Sequence, residues 1–377
     1  MIPKKQLIEK FIDDYILNYR PYKEKWNYED GCVVKGSWDL YKTTKKELYK
    51  NFVLNYMYKY IDEEGNIRGY NMQDYSLDDI NSGKVLFDLY ELTQDERFKK
   101  AIEHLYQQIL TQPRTGQGNF WHKRIYPNQV WLDGLYMVMP FYIKYIKKFG
   151  NKNDLKDICF QFVNVRNHMF NKEKGLYYHG YDESRKEAWA DKETGLSPNF
   201  WGRAMGWLVM ALVDVLEELD EKVIGDYKNL TEECKDLQGI FKEAIEGILQ
   251  YQDPDSGMWY QVVDKTKSKG NYLETSATLM SAYSILKGCR LRLLPQKYEN
   301  YGLKAFNGTI DKYLSYKDGE YKLGGICKVA GLGNFPYRDG SYEYYISEEV
   351  VFNDPKGVGP FMMVYSEILK NSQFYSA

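Results

Sequence analysis

Histidine is scarce in this chain, with four in 377 residues, and no two stand at the HxH or HxxxH spacing of a metal site. A metal centre is therefore not expected. Cysteine is sparse as well. The five (Cys32, Cys159, Cys234, Cys289, Cys327) are odd in number and include no CxxC pair, which suits reduced thiols in a cytosolic protein. Long apolar runs are missing: the longest, Leu135 to Ile143, falls well short of the roughly 20 residues that span a bilayer. The opening MIPKKQLIEK alternates charge with apolar residues and lacks the continuous apolar core of a signal peptide. Neither sign of charge is in excess. The 51 basic and 53 acidic residues leave a net charge of -2, and no basic stripe offers itself to nucleic acid. Also absent are a Gly-rich phosphate loop before a helix, a GxSxG elbow and a Cys-His pairing. The expectation is a cytoplasmic protein with no membrane and no nucleic acid among its partners.

What the chain has in abundance is tyrosine, 36 residues within an aromatic content of 16 %. Part of this excess belongs to the core. The informative aromatics stand beside a repeated mark, clearest in Gln129-Val130-Trp131-Leu132-Asp133-Gly134, where a polar turn becomes an apolar helix. The same grammar recurs at Glu29, Asp78, Asp133, Arg203, Glu274 and Asn353, each with a large side chain twelve residues on. Gly-aromatic turns precede most of these marks, at Gly118, Gly175, Gly257 and Gly340. Six degenerate units imply a closed repeat whose marked positions meet at one mouth. Spread over 377 residues, the units come to roughly 63 residues each, room for two helices and their connections.

The periodic segments are helical and of two kinds. Asp95 to Leu110 carries apolar residues on one stripe (Phe98, Ile102, Leu105, Tyr106, Ile109) and charge elsewhere, as an outer helix does. Leu135 to Ile143 and Trp207 to Val213 are apolar all round, as buried inner helices are. Alternation of the two predicts an all-α (α/α)6 barrel, a six-hairpin toroid forming one domain over residues 1–377. Pro140 should kink its inner helix. The Gly-aromatic turns predict short extended pieces at the mouth without a sheet.

In such a barrel the first turns of the inner helices look into the central cavity. Carboxylates there are also ordinary complements of the helix dipole, and for Glu29 and Glu274 that is the plainer account. Asp133 differs, because Trp131, Leu132, Leu135 and Tyr136 surround it with apolar material. Desolvation is expected to raise its pKa and keep a proton on it, as a general acid requires. Asp78 holds the equivalent place one unit earlier, and two carboxylates facing one cavity are a common glycosidase arrangement. In Trp201-Gly202-Arg203-Ala204-Met205-Gly206-Trp207 a guanidinium stands between two indoles, either a core feature or a fork for a sugar acid beside a stacking wall. His122 and His179 follow aromatic turns and are expected at the mouth as partners of sugar hydroxyls, whereas His104 and His168 are assigned to structure. Asp253-Pro254-Asp255-Ser256-Gly257 opens like a calcium loop but lacks the later ligands.

These pieces resemble glycoside hydrolase family 105, the unsaturated rhamnogalacturonyl hydrolases, and more distantly the unsaturated glucuronyl hydrolases of family 88. The resemblance rests on Trp26-Asn27-Tyr28-Glu29-Asp30-Gly31, Ser76-Leu77-Asp78-Asp79-Ile80-Asn81-Ser82-Gly83, Trp131-Leu132-Asp133-Gly134, His179-Gly180-Tyr181-Asp182, the Trp201–Trp207 segment, Glu274-Thr275-Ser276-Ala277 and Gly357-Val358-Gly359-Pro360-Phe361. Their order is kept from near residue 26 to the C-terminus. The resemblance implies an (α/α)6 barrel without metal or organic cofactor. It also implies a substrate bearing a 4,5-unsaturated uronic acid, a small oligosaccharide left by a polysaccharide lyase. By the same resemblance Asp133 protonates C4 of the vinyl ether, Asp78 handles the water that adds at C5, and His122, His179, Trp201, Arg203 and Trp207 fall on pocket positions. Trp131 and Glu29 complete the expected binding set.

The expected activity is release of the unsaturated uronyl residue from pectin fragments of rhamnogalacturonan type. Unsaturated glucuronyl groups, as in ulvan, arabinogalactan or glycosaminoglycan fragments, are the alternative within the same reaction. Unsaturation erases the stereocentre at C4, so the linked sugar is what differs, and its subsite is expected around His122-Lys123-Arg124 and Asn334-Phe335-Pro336-Tyr337-Arg338. An epimerase or lyase would use a His or Tyr base. A non-catalytic glycan-binding toroid would keep the tryptophans without needing a carboxylate in an apolar pocket.

Overall fold

Each outer helix of the chain is followed by an inner one. In the computed structural model, which describes residues 4–150, 154–219 and 231–376, the outer helices are Lys4–Leu17, Glu47–Tyr60, Glu96–Thr111, Leu155–Met169, Thr231–Leu249 and Glu299–Tyr313. The inner helices are Tyr28–Thr44, the Leu77–Val85 and Leu86–Thr93 pair, Leu132–Lys148, Gly202–Glu218, Thr275–Arg290 and Pro355–Ser376. Every inner helix packs on the next, and the last packs on the first, which closes an (α/α)6 barrel.

The two patterns behave as their burial demands. Asp95 caps Glu96–Thr111 by accepting a hydrogen bond from Arg97 N at 3.0 Å, and Phe98, Ile102, Leu105, Tyr106 and Ile109 turn inward along one face. Leu135 to Ile143, Pro140 included, and Gly202 to Leu216 are buried on every side. Of the cysteines, Cys32, Cys159, Cys289 and Cys327 are buried, and the side chain of Cys234 lies outside the described residues.

The second inner helix departs from expectation. Its first nine residues, Leu77–Val85, form a 3-10 helix, although such runs seldom exceed three or four residues. Hydrogen bonds to the preceding inner helix hold this tighter winding. Trp26 Nε1 donates to Asp79 O (2.6 Å), Asn81 Nδ2 to Tyr28 O (3.1 Å) and Ser82 Oγ to Asn27 O (2.6 Å).

The turns at the mouth form two-stranded ladders. In one of them Gln129–Trp131 pairs antiparallel with Gly180–Asp182, so that Trp131 lies opposite Gly180. The glycines opening the aromatic turns, Gly118, Gly175, Gly257 and Gly340, have φ of 97°, 67°, 74° and 68°, the left-handed region that disfavours side chains. The sixth mark is a corner of the same sort. Asn353 sits at φ 54°, accepts from Leu323 N (2.8 Å), donates to Tyr321 O (2.9 Å) and does not line the central cavity.

Ring closure depends on glycine. A Cβ on Gly359 would lie 2.5 Å from Cys32 O, and one on Gly36 would lie 2.7 Å from Gly359 O. Gly359→Ala gains roughly 1 kcal/mol of helix propensity but forces the first and last inner helices apart, for an expected net loss of about 2 kcal/mol or more. Urea unfolding of the variant checks this, and unchanged stability would show that the seam can yield.

Candidate active site

A cavity of about 370 Å³ opens at the end of the barrel where the inner helices begin. Asp133, second residue of Leu132–Lys148, reaches into it. Leu132 N, at the start of that helix, donates to His179 O (3.1 Å). The His179 ring is fully buried, and its Nε2 stands 3.3 Å from Asp133 Oδ2 without hydrogen-bond alignment. Its Nδ1 shares a 2.7 Å hydrogen bond with Tyr345 OH. When that hydroxyl donates to Nδ1, the ring hydrogen sits on Nε2 and faces Asp133. Trp201, with centroids 4.7 Å away, and Trp131, 5.4 Å away, hold the ring from two sides.

Asp78 meets a different environment. Burial alone would raise its carboxyl, but the Lys123 ammonium that pairs with it and His122 Nε2 at 3.6 Å hold it below its ordinary value. Leu77 N donates to His122 O (3.1 Å) and His122 N to Gln129 O (2.9 Å), so backbone ties the Asp78 segment to the strand carrying Trp131. Burial pushes the His122 imidazole down to about 4 and keeps it neutral at physiological pH. The neighbouring Asp79 is pushed up to about 7 by burial and then by the charge of Asp78. Below about 7 the two adjacent carboxyls together therefore carry a single negative charge, on Asp78.

One wall is aromatic. Trp131 is stacked between His122 (4.5 Å, 20°) and Tyr126 (4.7 Å, 27°), and its Nε1 donates to Gln129 Oε1 at 3.0 Å. Tyr126 OH accepts from Arg338 Nη2 (2.8 Å) and Asn334 Nδ2 (3.3 Å), which joins the two turn segments expected to hold the linked sugar. Glu29 lines the opposite side, paired with Lys23 at 2.7 Å, and its Oε2 has no partner. Such a site can bind a flat polar ring, protonate it from one carboxyl and direct water with another.

The Glycosyl Hydrolase Family 88 profile matches residues 5–372. The chain belongs to this family. A family 105 glycoside hydrolase from C. acetobutylicum is 41% identical and superposes with a TM-score of 0.90, covering 98% of this chain and 100% of that one. Protein Atu3128 of Agrobacterium fabrum is 39% identical over 241 residues, which are 62% of this chain and 98% of that one. The unsaturated rhamnogalacturonyl hydrolase YesR of Bacillus subtilis is 22% identical over 292 residues, 76% of either chain. An unsaturated glucuronyl hydrolase from Bacillus sp. GL1, 15% identical, shares the fold with a TM-score of 0.68 over 97% of this chain and 96% of its own. This family 88 and 105 membership makes the chain a glycoside hydrolase of the unsaturated uronyl hydrolase group. No described helix is long and apolar enough to cross a membrane.

Within this family 88 hydrolase, Asp78, His122, Trp131, Asp133 and Glu29 converge on the cavity, and His179 stands directly behind Asp133. Trp201, Arg203 and Trp207 do not line it. Trp207 stacks on Tyr136 at 4.8 Å, and Trp201 Nε1 donates to Gln261 Oε1 at 3.1 Å. The fork of Arg203 is already taken. Nε donates to Ser276 Oγ (2.7 Å), Nη2 donates to Cys327 O, and Glu274 Oε1 lies 3.6 Å away, all in the buried interior. Glu274 itself caps Thr275–Arg290 by accepting from Ala277 N at 2.6 Å. Reading residue by residue passed over Asp79, Tyr126 and Tyr345. The Asp78-Asp79 doublet was the available signal for the first.

A lysine at position 203 cannot serve Ser276, Cys327 O and Glu274 together. Arg203→Lys is therefore expected to lower unfolding free energy by roughly 2–4 kcal/mol, because it loosens a buried charge pair. Chemical denaturation measures this directly. Full stability together with a raised KM would return the guanidinium to the substrate.

Proposed function

We propose that this enzyme removes the 4,5-unsaturated uronyl residue from lyase-generated rhamnogalacturonan oligosaccharides, short pectin fragments. The whole chain, residues 1–377, acts as one catalytic domain working in the cytoplasm. The observation that carries the reading is the unlike setting of the two cavity carboxyls. Asp78 is kept anionic by Lys123, whereas Asp133 pairs with no lysine or arginine among the described residues and its Oδ2 faces the buried His179 ring. The first is suited to handle water, the second to deliver a proton to the bound ring.

The Asp133 carboxyl gives its proton to C4, the double-bond electrons form the new C–H bond, and positive charge develops at C5 with help from the ring oxygen. Asp78 takes a proton from water as the oxygen adds to C5. The hemiketal then opens, and the neighbouring sugar leaves without displacement at the anomeric carbon. Proton exchange with solvent resets both carboxyls. Since Arg203 is buried away from the cavity, Lys123 and Arg338 on the cavity wall are the better partners for the uronate and the linked sugar. The Trp131 face supports the ring.

The reading of a glucuronyl-type substrate uses the same steps and differs in the linked sugar. A panel of lyase-generated disaccharides, followed by loss of the ultraviolet absorbance of the double bond, separates the two.

The decisive test is turnover in heavy water. Deuterium must appear at C4 of the product, and Asp133→Asn must reduce turnover by about a thousand-fold or more while retaining binding. Asp78→Asn is expected to slow the reaction comparably. Acceptance of saturated uronides, with no deuterium at C4, would overturn the mechanism.

A second expectation concerns pH. Because Lys123 lowers the Asp78 carboxyl, Lys123→Met must let it rise. The acidic limb of kcat/KM, below which Asp78 is protonated, then moves to higher pH by about one unit or more. An unmoved acidic limb would show that Asp78 need not be ionised.

A further inference from the structure

Beside the cavity lies a second concavity, a groove of about 490 Å³ between the end of the first outer helix and the start of the last inner one. Its walls include the rings of Tyr15, Tyr19, Tyr22 and Phe352, with Asn18 and Arg20 at the rim. We propose that this groove is a second saccharide-binding site, taking the pyranose units on the reducing-end side of the bond cleaved in the cavity. The proposal rests on the reaction proposed above.

Continuity with the cavity is the first argument. Tyr22 and Lys328 line the groove, while their chain neighbours Lys23 and Val329 line the cavity. Lys23 Nζ pairs with the cavity's Glu29 at 2.7 Å and lies 5.3 Å from the Tyr22 ring centroid. Lys356 Nζ lies 4.4 Å from the same ring and 2.8 Å from Asp354 Oδ1, a groove residue. Tyr22 N is anchored on Asp30 Oδ1 at 2.8 Å, so this saddle is fixed. Lys328 of the groove lies in the same connection as Val329, Ala330 and Arg338 of the cavity, so units beyond the linked sugar can continue from those turns over the saddle.

Composition is the second argument. Flat aromatic faces with a few polar tips are what pyranose rings require. Tyr15 OH donates to Asn353 O (3.2 Å) and Tyr19 OH to Asp30, which fixes those rings at the groove. Phe352 is 63% exposed, which leaves its ring open to a sugar in the groove. Arg20 is exposed and has no carboxylate partner among the described residues, so it is available to a uronate farther along an acidic chain.

The test compares an unsaturated rhamnogalacturonan disaccharide with the corresponding hexasaccharide. The parent enzyme should show a kcat/KM for the hexasaccharide roughly ten-fold that for the disaccharide, and Phe352→Ala and Arg20→Ala should each collapse the ratio several-fold through KM. A ratio near one in the parent, or a ratio that neither substitution moves, overturns the groove. If no unsaturated substrate is turned over, the reaction proposed above fails, and the groove is then tested alone. Calorimetry of a saturated rhamnogalacturonan hexasaccharide on the parent protein should show binding that Phe352→Ala weakens about five-fold. Absence of binding, or binding indifferent to both substitutions, likewise refutes it.

Discussion

A helix packed on every side has nothing but its ends to offer a ligand. Six such helices form the inner ring here, and that constraint decides where chemistry can stand. At the starting ends the first turns carry Glu29, Asp78 and Asp133 into one cavity, where unpaired backbone N–H groups favour negative charge. At the finishing ends a dense ion network fills the barrel. Lys287 bridges Asp214 (2.7 Å) and Glu217 (2.6 Å), Lys35 pairs with Asp39, and Lys84 lies 3.1 Å from the Tyr136 ring centroid. Lys287 stands in the last turn of its helix, where the dipole favours a cation, and removing one partner of such a buried pair would leave the other uncompensated. The barrel is thus open at one end and plugged at the other by complementary electrostatics.

Carboxyls gathered at one mouth would repel one another if all were ionised. The cavity resolves the conflict by unequal treatment. Lys123 neutralises Asp78 directly, Asp79 keeps its proton up to about 7, and His122 stays uncharged because burial pushes it down to about 4. What remains is a site with one secured anion beside a carboxyl that faces an imidazole and an indole. The stacked Tyr126, Trp131 and His122 rings supply the dry surface that keeps these differences large.

The architecture was legible because burial writes itself as period. The one-sided stripe of Glu96–Thr111 and the continuous apolar run from Leu135 to Ile143 could be assigned to outer and inner rings without coordinates. Of the six repeat marks, Glu29, Asp78 and Asp133 meet at the cavity as their position implied, whereas Arg203, Glu274 and Asn353 do not. Arg203 was misread because a guanidinium between two indoles looks the same whether its carboxylate belongs to a ligand or to Glu274 on the next inner helix. Asn353 was misread because the spacing that marks a first turn also fits a left-handed corner. The 3-10 winding of Leu77–Val85 is held by a hydrogen bond from Trp26 and by others to the carbonyls of Asn27 and Tyr28, partners that local pattern does not reveal.

The same division separates what this family can vary from what it cannot. Asp78 and Asp133 sit on inner helices whose packing admits little change, since even a methyl group at Gly359 meets backbone at 2.5 Å. Lys123, Tyr126, Asn334 and Arg338 sit on turns joined by hydrogen bonds to one phenolic oxygen, outside the packed ring. A change there can reshape the linked-sugar side of the cavity without disturbing either carboxyl. A protein 15% identical in sequence accordingly keeps the barrel. For this reason the substrate's second residue has to be read from the turns that meet at Tyr126, and the reaction from the helix ends.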